Sequence, residues 1–270
     1  MTVRLEVLGT SIAFQSNDPR WIHFMEALWE PFLTSSATPE PMQVTVRHSG
    51  AGWLAELFDQ QTQENDPFIL ADMIRYSIAE QSLREAIDVV PLHAAALQRN
   101  GQSLLLAGAS RSGKTTIALV LVARGWVLMS DDLAPISLSS GDVLPFPRPL
   151  GLRSLEMWRS LVRYWDPPFE PVAPRSSLLA PAWVIGEPAR LPAPPRWLVF
   201  LNLQPEVTAS TTVLGAAETI ARSGQFAREI DPDRLAFLVQ LCGGMARAEL
   251  TFSEPEDAAN AIEAWLMENC

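Results

Sequence analysis

The chain has 270 residues, 48% of them hydrophobic and 19% charged, and a formal net charge of −11. That length exceeds the usual single domain and the composition supports a buried core, while so acidic a surface repels phosphate backbones, so no nucleic-acid partner is expected. The two cysteines, Cys242 and Cys270, sit in no CxxC or Cys/His cluster, which excludes a disulfide framework and a structural zinc site.

In chain order, Val3, Leu5 and Val7 alternate as a strand. The stretch to Phe14 carries Arg4 and Glu6, unlike the apolar core of a signal peptide. Asp18-Pro19 is a helix start, with Asp as N-cap and Pro in the first turn. Trp21, Phe24, Met25 and Leu28 follow at helical spacing, and Pro31 ends the run. Val44 and Val46 suggest another strand. Asp66-Pro67 repeats the helix-start signal, with Ile69, Met73, Ile74, Ile78 and Leu83 expected as the apolar face. Residues 1–88 therefore read as a small α+β domain.

From residue 89 the pattern changes, and 89–270 reads as one α/β nucleotide-binding domain. Pro91 to Leu97 reads as a single strand, Asn100-Gly101 as a two-residue hairpin turn, and Ser103 to Ala107 as the returning strand. A helix is expected over 114–124 with Gly125 as its stop, then a buried strand over 126–130 ending at Asp131-Asp132. Residues 166–195 are rich in proline and read as a long irregular connection, either a lid or a linker. A strand at 197–201 and helices near 234–241 and over 256–267 complete the pattern, the last expected to pack Ala261, Ile262, Trp265 and Leu266. The most apolar stretch, 117–129, is interrupted by Arg124 and Gly125 and is too short to span a bilayer. The expectation is a soluble, cytoplasmic chain with no membrane partner.

Residues 108–115 satisfy G-x-x-x-x-G-K-[ST], the P-loop or Walker A pattern. Such a loop cradles phosphates because its glycines let successive N–H groups turn inward, while the following helix adds its positive end. Gly108, Ala109, Ser110, Arg111, Ser112, Gly113, Lys114, Thr115 and Thr116 are the expected contacts to ATP. Lys114 would reach the β- and γ-phosphates, and the Thr115 hydroxyl would ligate Mg²⁺. Asp131-Asp132 lies where the ligand crevice of an open α/β sheet falls, so one carboxylate can serve the metal and the other can accept a proton. The alternative is a pair of turn acids closing a strand. Local chemistry marks His93 as no more than a histidine within a sheet. Arg148, held between prolines in Pro145-Phe-Pro-Arg-Pro149, is either a phosphate or substrate contact or a surface partner of the many acids.

Leu92-His93-Ala94, the hairpin, the P-loop, Ala123-Arg-Gly-Trp126 and Asp131-Asp132 together resemble the C-terminal catalytic domain of HPr kinase/phosphorylase. The resemblance covers residues 93–136 and extends weakly through 145–152. It implies that Asp131 accepts the proton of the substrate hydroxyl, that His93 assists, and that Asp132 lies on the metal. Arg111 replaces a glycine of that family's loop, Thr116 replaces an acid, and the downstream Arg-Gly-rich signature is not found. The chain is therefore closer to the HPr-kinase-related peptide kinases, including those of lasso-peptide pathways. The expected function is an ATP- and Mg²⁺-dependent kinase acting on a serine-type hydroxyl of a peptide or protein. A small-metabolite kinase and a nucleotide-dependent regulatory module are the alternatives.

Overall fold

The computed structural model describes residues 1–36, 40–50, 52–171, 178–215, 218–219, 222 and 231–269. Strands β1 (Thr2–Val7) and β2 (Thr10–Ser16) form a hairpin, and helix α1 (Pro19–Leu28) returns the chain so that β3 (Met42–Ser49) runs parallel to β2. Strands β4 (Gly52–Leu57) and β5 (Gln60–Glu64) add in antiparallel fashion, giving the sheet order β1-β2-β3-β4-β5. Helix α2 (Pro67–Glu85) follows. Both helix starts are capped as the sequence predicts. The Asp18 carboxylate accepts from the N–H of Arg20, and that of Asp66 accepts from the N–H groups of Phe68 and Ile69.

The chain then builds β6 (Val89–Leu92), β7 (Ala94–Arg99), β8 (Gln102–Ala107), α3 (Lys114–Ala123), β9 (Val127–Ser130) and β10 (Ala134–Ser137). Next come β11 (Leu150–Leu152), α4 (Leu155–Val162) and β12 (Leu178–Ala180). Strands β13 (Pro195–Leu203) and β14 (Ser210–Val213), helix α5 (Pro232–Gly244), strand β15 (Ala246–Phe252) and helix α6 (Pro255–Glu268) complete it. Among the described residues, no helix is long and apolar enough to cross a membrane.

Two compact units result. The first is Met1–Ile87 with Arg148–Val184, and the second is Asp88–Pro147 with Ile185–Cys270. The sequence reading placed everything beyond residue 88 in one body. The returning segment 148–184 instead belongs to the first unit, and aromatic packing explains why. Trp165 stacks on Phe24 with ring centroids 5.9 Å apart, and Phe169 meets Trp21 at 5.1 Å and Phe24 at 5.5 Å. Trp158 packs edge-on against Phe68 at 5.8 Å. These rings fill a core that residues 1–87 alone leave incomplete.

The buried face of α2 also differs from expectation. Phe68, Ala71, Ile74, Arg75, Ile78, Ala79 and Ser82 face inward, whereas Met73 is 37% exposed. Arg75 can be buried because Asp72 pairs with it at 2.6 Å and Gly151 leaves room for the guanidinium. Nor is 166–195 a wholly irregular connection. It carries β12, and the N–H groups of Ala189 and Ala193 bond to the carbonyls of Leu128 and Val143. Arg175, Ser176 and Ser177 lie outside the described residues.

The second unit is built on a six-stranded sheet of order β14-β15-β13-β8-β7-β9. Its central strands are apolar on both faces, the pattern of a sheet covered on both sides. Leu97, Leu104, Leu106, Val199 and Leu250 pack under Ile117 and Leu121 of α3 and Ile262 and Trp265 of α6. The opposite face, with Ala96, Leu105, Leu198 and Phe200, is covered by Val90, Leu92 and Ile136 of the β6–β10 ribbon and by Leu238 and Cys242 of α5.

Candidate functional site

Strands β8 and β9 both pair antiparallel with β7 and flank it. They are therefore parallel to each other, and their C-terminal ends lie beside the N-terminal end of β7. Ala94 stands opposite Ala107, and Ala96 opposite Ser130. The residues just past these pairs, namely His93, Gly108 and Asp131, consequently meet at one end of the sheet. The sequence reading ran one strand through His93. The structure breaks it there, because residues before His93 pair with β10 and those after it enter the main sheet.

The 108–113 loop is shaped by its glycines. A Cβ on Gly108 would stand 2.5 Å from Ser112 Oγ and 3.2 Å from the carbonyl oxygen of Leu201. Gly113 has φ +89° and opens α3 from the left-handed region, with no side chain capping the helix. The N–H groups of the first turn of α3 therefore have no side-chain cap, and the helix's positive end faces out from the sheet. Ala109, Ser110 and Arg111 form the exposed crest, and Arg111 also has positive φ. Ser112 is buried below it, with its N–H bonded to the Ala109 carbonyl and its hydroxyl oxygen making no hydrogen bond.

Lys114 is only 6% exposed. Its ammonium donates to the carbonyls of Gly108 at 2.9 Å and Ala109 at 3.1 Å, and lies 3.3 Å from His93 Nε2. An ammonium can only donate, so Nε2 is the accepting nitrogen and the ring proton sits on Nδ1. That Nδ1 lies 3.4 Å from Asp132 Oδ1. Lys114, His93 and Asp132 thus form one chain of polar contacts.

The two acids have different partners. Asp131 is 4% exposed, and its Oδ1 accepts from the Thr115 hydroxyl at 2.9 Å. Asp132 is partly exposed and takes φ +69°, a conformation that aspartate tolerates better than most residues. The Ser130 hydroxyl donates to the Leu133 carbonyl across this turn and pins it. Asp132 Oδ1 lies 3.4 Å from His93 Nδ1 and 4.0 Å from Lys114 Nζ, so adjacent carboxylates take different partners.

His93, Lys114, Thr115, Asp131 and Asp132 are brought together with the loop residues. Arg148 belongs to the first unit and is buried. Thr116 is half-buried in the first turn of α3. A polar chain that sequence reading did not single out joins Asn202 of β13, Glu249 of β15 and Arg222. Asn202 donates to Glu249, and Arg222 grips the same carboxylate at 2.9 Å. The Arg222 hydrogen bond holds the Glu249 carboxyl below the ordinary glutamate range. No local motif marks these residues, since side-chain contacts between segments distant in sequence join them.

A phosphate chain fits the loop, since first-turn N–H groups, an unbonded buried hydroxyl and a buried ammonium all stand around it. No group of three or more His, Cys, Asp or Glu side chains among the described residues would cage a metal alone. A magnesium ion would instead use Thr115, one carboxylate and phosphate oxygens, the manner in which Mg²⁺ is commonly held.

No family model matches the chain, and no curated protein matches it. Among solved structures it is similar to the Hpr(Ser) kinase/phosphatase from Coxiella burnetii, at 11% identity and a TM-score of 0.36. The match covers 66% of this chain and 91% of that one.

Proposed function

We propose that the chain is a phosphotransferase that moves the γ-phosphate of ATP, with Mg²⁺, to a serine-type hydroxyl of a peptide or protein. One observation carries this reading: a buried lysine, a threonine of the glycine loop and two carboxylates with different partners meet at one end of one sheet. Phosphoryl transfer asks little covalent chemistry of a protein. It needs the reacting oxygens held in line and the phosphate charge offset. Residues 108–116 would hold the triphosphate through backbone N–H groups, and the Lys114 ammonium would exchange its carbonyl partners for phosphate oxygens. Magnesium would neutralise charge on the β- and γ-phosphates. Thr115 and one carboxylate fit it, while the other carboxylate is left for the acceptor proton, with His93 alongside. The acceptor class rests on the sequence resemblance to peptide kinases, which makes a biosynthetic precursor peptide the first candidate.

The test is intact-mass analysis of serine-containing peptides after incubation with the full chain, ATP and magnesium. A gain of one phosphoryl group on a peptide, lost when the serine is replaced, supports the proposal. Transfer to a small metabolite alone would reassign the acceptor. Magnesium-dependent nucleotide binding without ADP release under any condition would make the chain a regulatory module.

A further inference from the structure

We infer that Asp132, and not Asp131, takes the acceptor proton, that His93 is a positioning residue holding Asp132 in place, and that Asp131 works with Thr115 on the metal. The inference rests on the phosphotransfer reading above and reverses the roles that the sequence resemblance implies for the two acids.

Three observations carry it. First, the Thr115 hydroxyl, which would ligate magnesium in the reading above, donates to Asp131 Oδ1 at 2.9 Å. A cation bound by that hydroxyl would lie next to the carboxylate already touching it. Asp131 is also only 4% exposed, which leaves it poorly placed to meet an incoming hydroxyl. Second, Asp132 contacts the His93 ring and the Lys114 ammonium, not the Thr115 hydroxyl, and keeps about a third of its side chain open to solvent. A proton acceptor must reach the substrate oxygen, so exposure on the open side of the loop favours Asp132. Third, Asp132 Oδ1 lies 3.4 Å from His93 Nδ1 and 4.0 Å from Lys114 Nζ, and His93 Nε2 lies 3.3 Å from the same ammonium. With Nε2 accepting from the ammonium, the ring proton is on Nδ1, which lies 3.4 Å from the carboxylate. Backbone strain at Asp132 is held by that contact and by the Ser130–Leu133 bond, and residues fixed in this way cluster where geometry matters to function.

In the transfer step the acceptor oxygen bonds to the γ-phosphorus as the bond from that phosphorus to the β–γ bridging oxygen breaks. The acceptor's proton passes to an Asp132 oxygen, and ADP departs with the bridging oxygen. His93 neither gains nor loses a proton in this step. It keeps the receiving oxygen aimed.

The experiment compares Asp131→Asn, Thr115→Val, Asp132→Asn, His93→Ala and His93→Asn in the full chain. A fluorescent ATP analogue reports binding as magnesium is titrated, and ADP release reports turnover with water or a serine peptide as acceptor. Asp131→Asn and Thr115→Val should each raise the magnesium needed for half-maximal binding about tenfold, and the double variant should be little worse, since the two groups act as one pair. Manganese should recover part of the loss. Asp132→Asn should keep the parent's magnesium requirement and lose about a hundred- to ten-thousand-fold in turnover. His93→Ala should lower kcat with KM for ATP unchanged, and His93→Asn, which keeps an N–H donor near Nδ1, should recover part of it. If Asp132→Asn raises the magnesium requirement and Asp131→Asn does not, the assignment is overturned. It is equally overturned if neither acid changes it. Thr115→Val judges the metal pair should Asp131→Asn fail to fold. A parent chain that binds no nucleotide with magnesium sinks the phosphotransfer reading itself. One that binds but never releases ADP sinks that reading and the proton role with it, leaving the metal pair to the titration.

Discussion

The Thr115 hydroxyl donates to Asp131 Oδ1 over 2.9 Å, and this bond joins the first turn of α3 to the end of β9. It links the glycine loop to the acidic turn through side chains alone. Changes on either side of it should therefore be felt on the other.

Lys114 supplies the first prediction. ATP with magnesium should raise the melting temperature of the parent chain, since a ligand at about a hundred times its Kd adds about 2.7 kcal/mol to the native state. Lys114→Ala should abolish most of that shift. Scanning calorimetry with and without ATP decides it, and equal shifts in the two folded proteins would remove Lys114 from nucleotide binding.

Gly108→Ala tests the tightness of the loop. The new Cβ would meet Ser112 Oγ at 2.5 Å and the Leu201 carbonyl at 3.2 Å, and the carbonyl is backbone that cannot swing aside. Overpacking of this kind costs about 1–3 kcal/mol. Ser112→Gly in the same chain should relieve part of the cost and leave the part owed to Leu201. Urea midpoints that add without coupling would mean the loop relaxes away from the contact.

The first unit gives a third prediction. Residues 1–87 expressed alone lack Trp158, Trp165 and Phe169, and should melt without cooperativity and bind a hydrophobic dye. In the full chain, Phe169→Ala should destabilise by about 3–5 kcal/mol, because its ring touches Trp21, Phe24 and Trp53. A sharp, two-state transition in the 1–87 fragment would show that the returning segment is dispensable.

Glu249 predicts a pH dependence. Its carboxyl is held below the ordinary glutamate range chiefly by the hydrogen bond from Arg222, with burial opposing. A folded-state pKa that is depressed gives stability that is fully present above the unfolded value and is lost as pH falls through the folded one. Glu249→Gln should thus cost about 1 kcal/mol near neutral pH, and the gap to the parent should close on acidification to about pH 3. Urea midpoints at both pH values check the sign. A gap that persists in acid would assign the loss to packing.

Much of this was legible in the chain because its signals are local. Asp18 and Asp66 cap the helices they announce, and Asn100-Gly101, with φ of +53° and +77°, makes the two-residue turn between β7 and β8. The glycine loop and α3 fall where the motif puts them. What escaped is set by distant partners. The strand break at His93 exists because β10 pairs with β6, and the different partners of Asp131 and Asp132 come from residues brought in by other elements. The return of 148–184 is written in aromatic residues whose partners lie far earlier in the chain, and Met73 lost its expected place to Phe68 and Arg75 for the same reason. Helical spacing shows that a face exists but does not say which neighbour will cover it.

The placement of β7 between two strands that run against it has a consequence for the order in which the chain acquires structure. His93, the glycine loop and both acids lie within residues 93–132, and the hairpin, helix and strand that carry them are successive in sequence. Contacts between close neighbours along a chain form early, because little loop entropy must be lost to make them. Strands β13 and β15 reach this sheet only from far downstream. Pulse-labelled hydrogen exchange during refolding should find the β7 and β8 amides protected before those of β15. The parts of the active end would then be in register while the strands that later flank them are still unpaired, so a lesion in β13 or β15 should slow completion of the sheet more than assembly of the site.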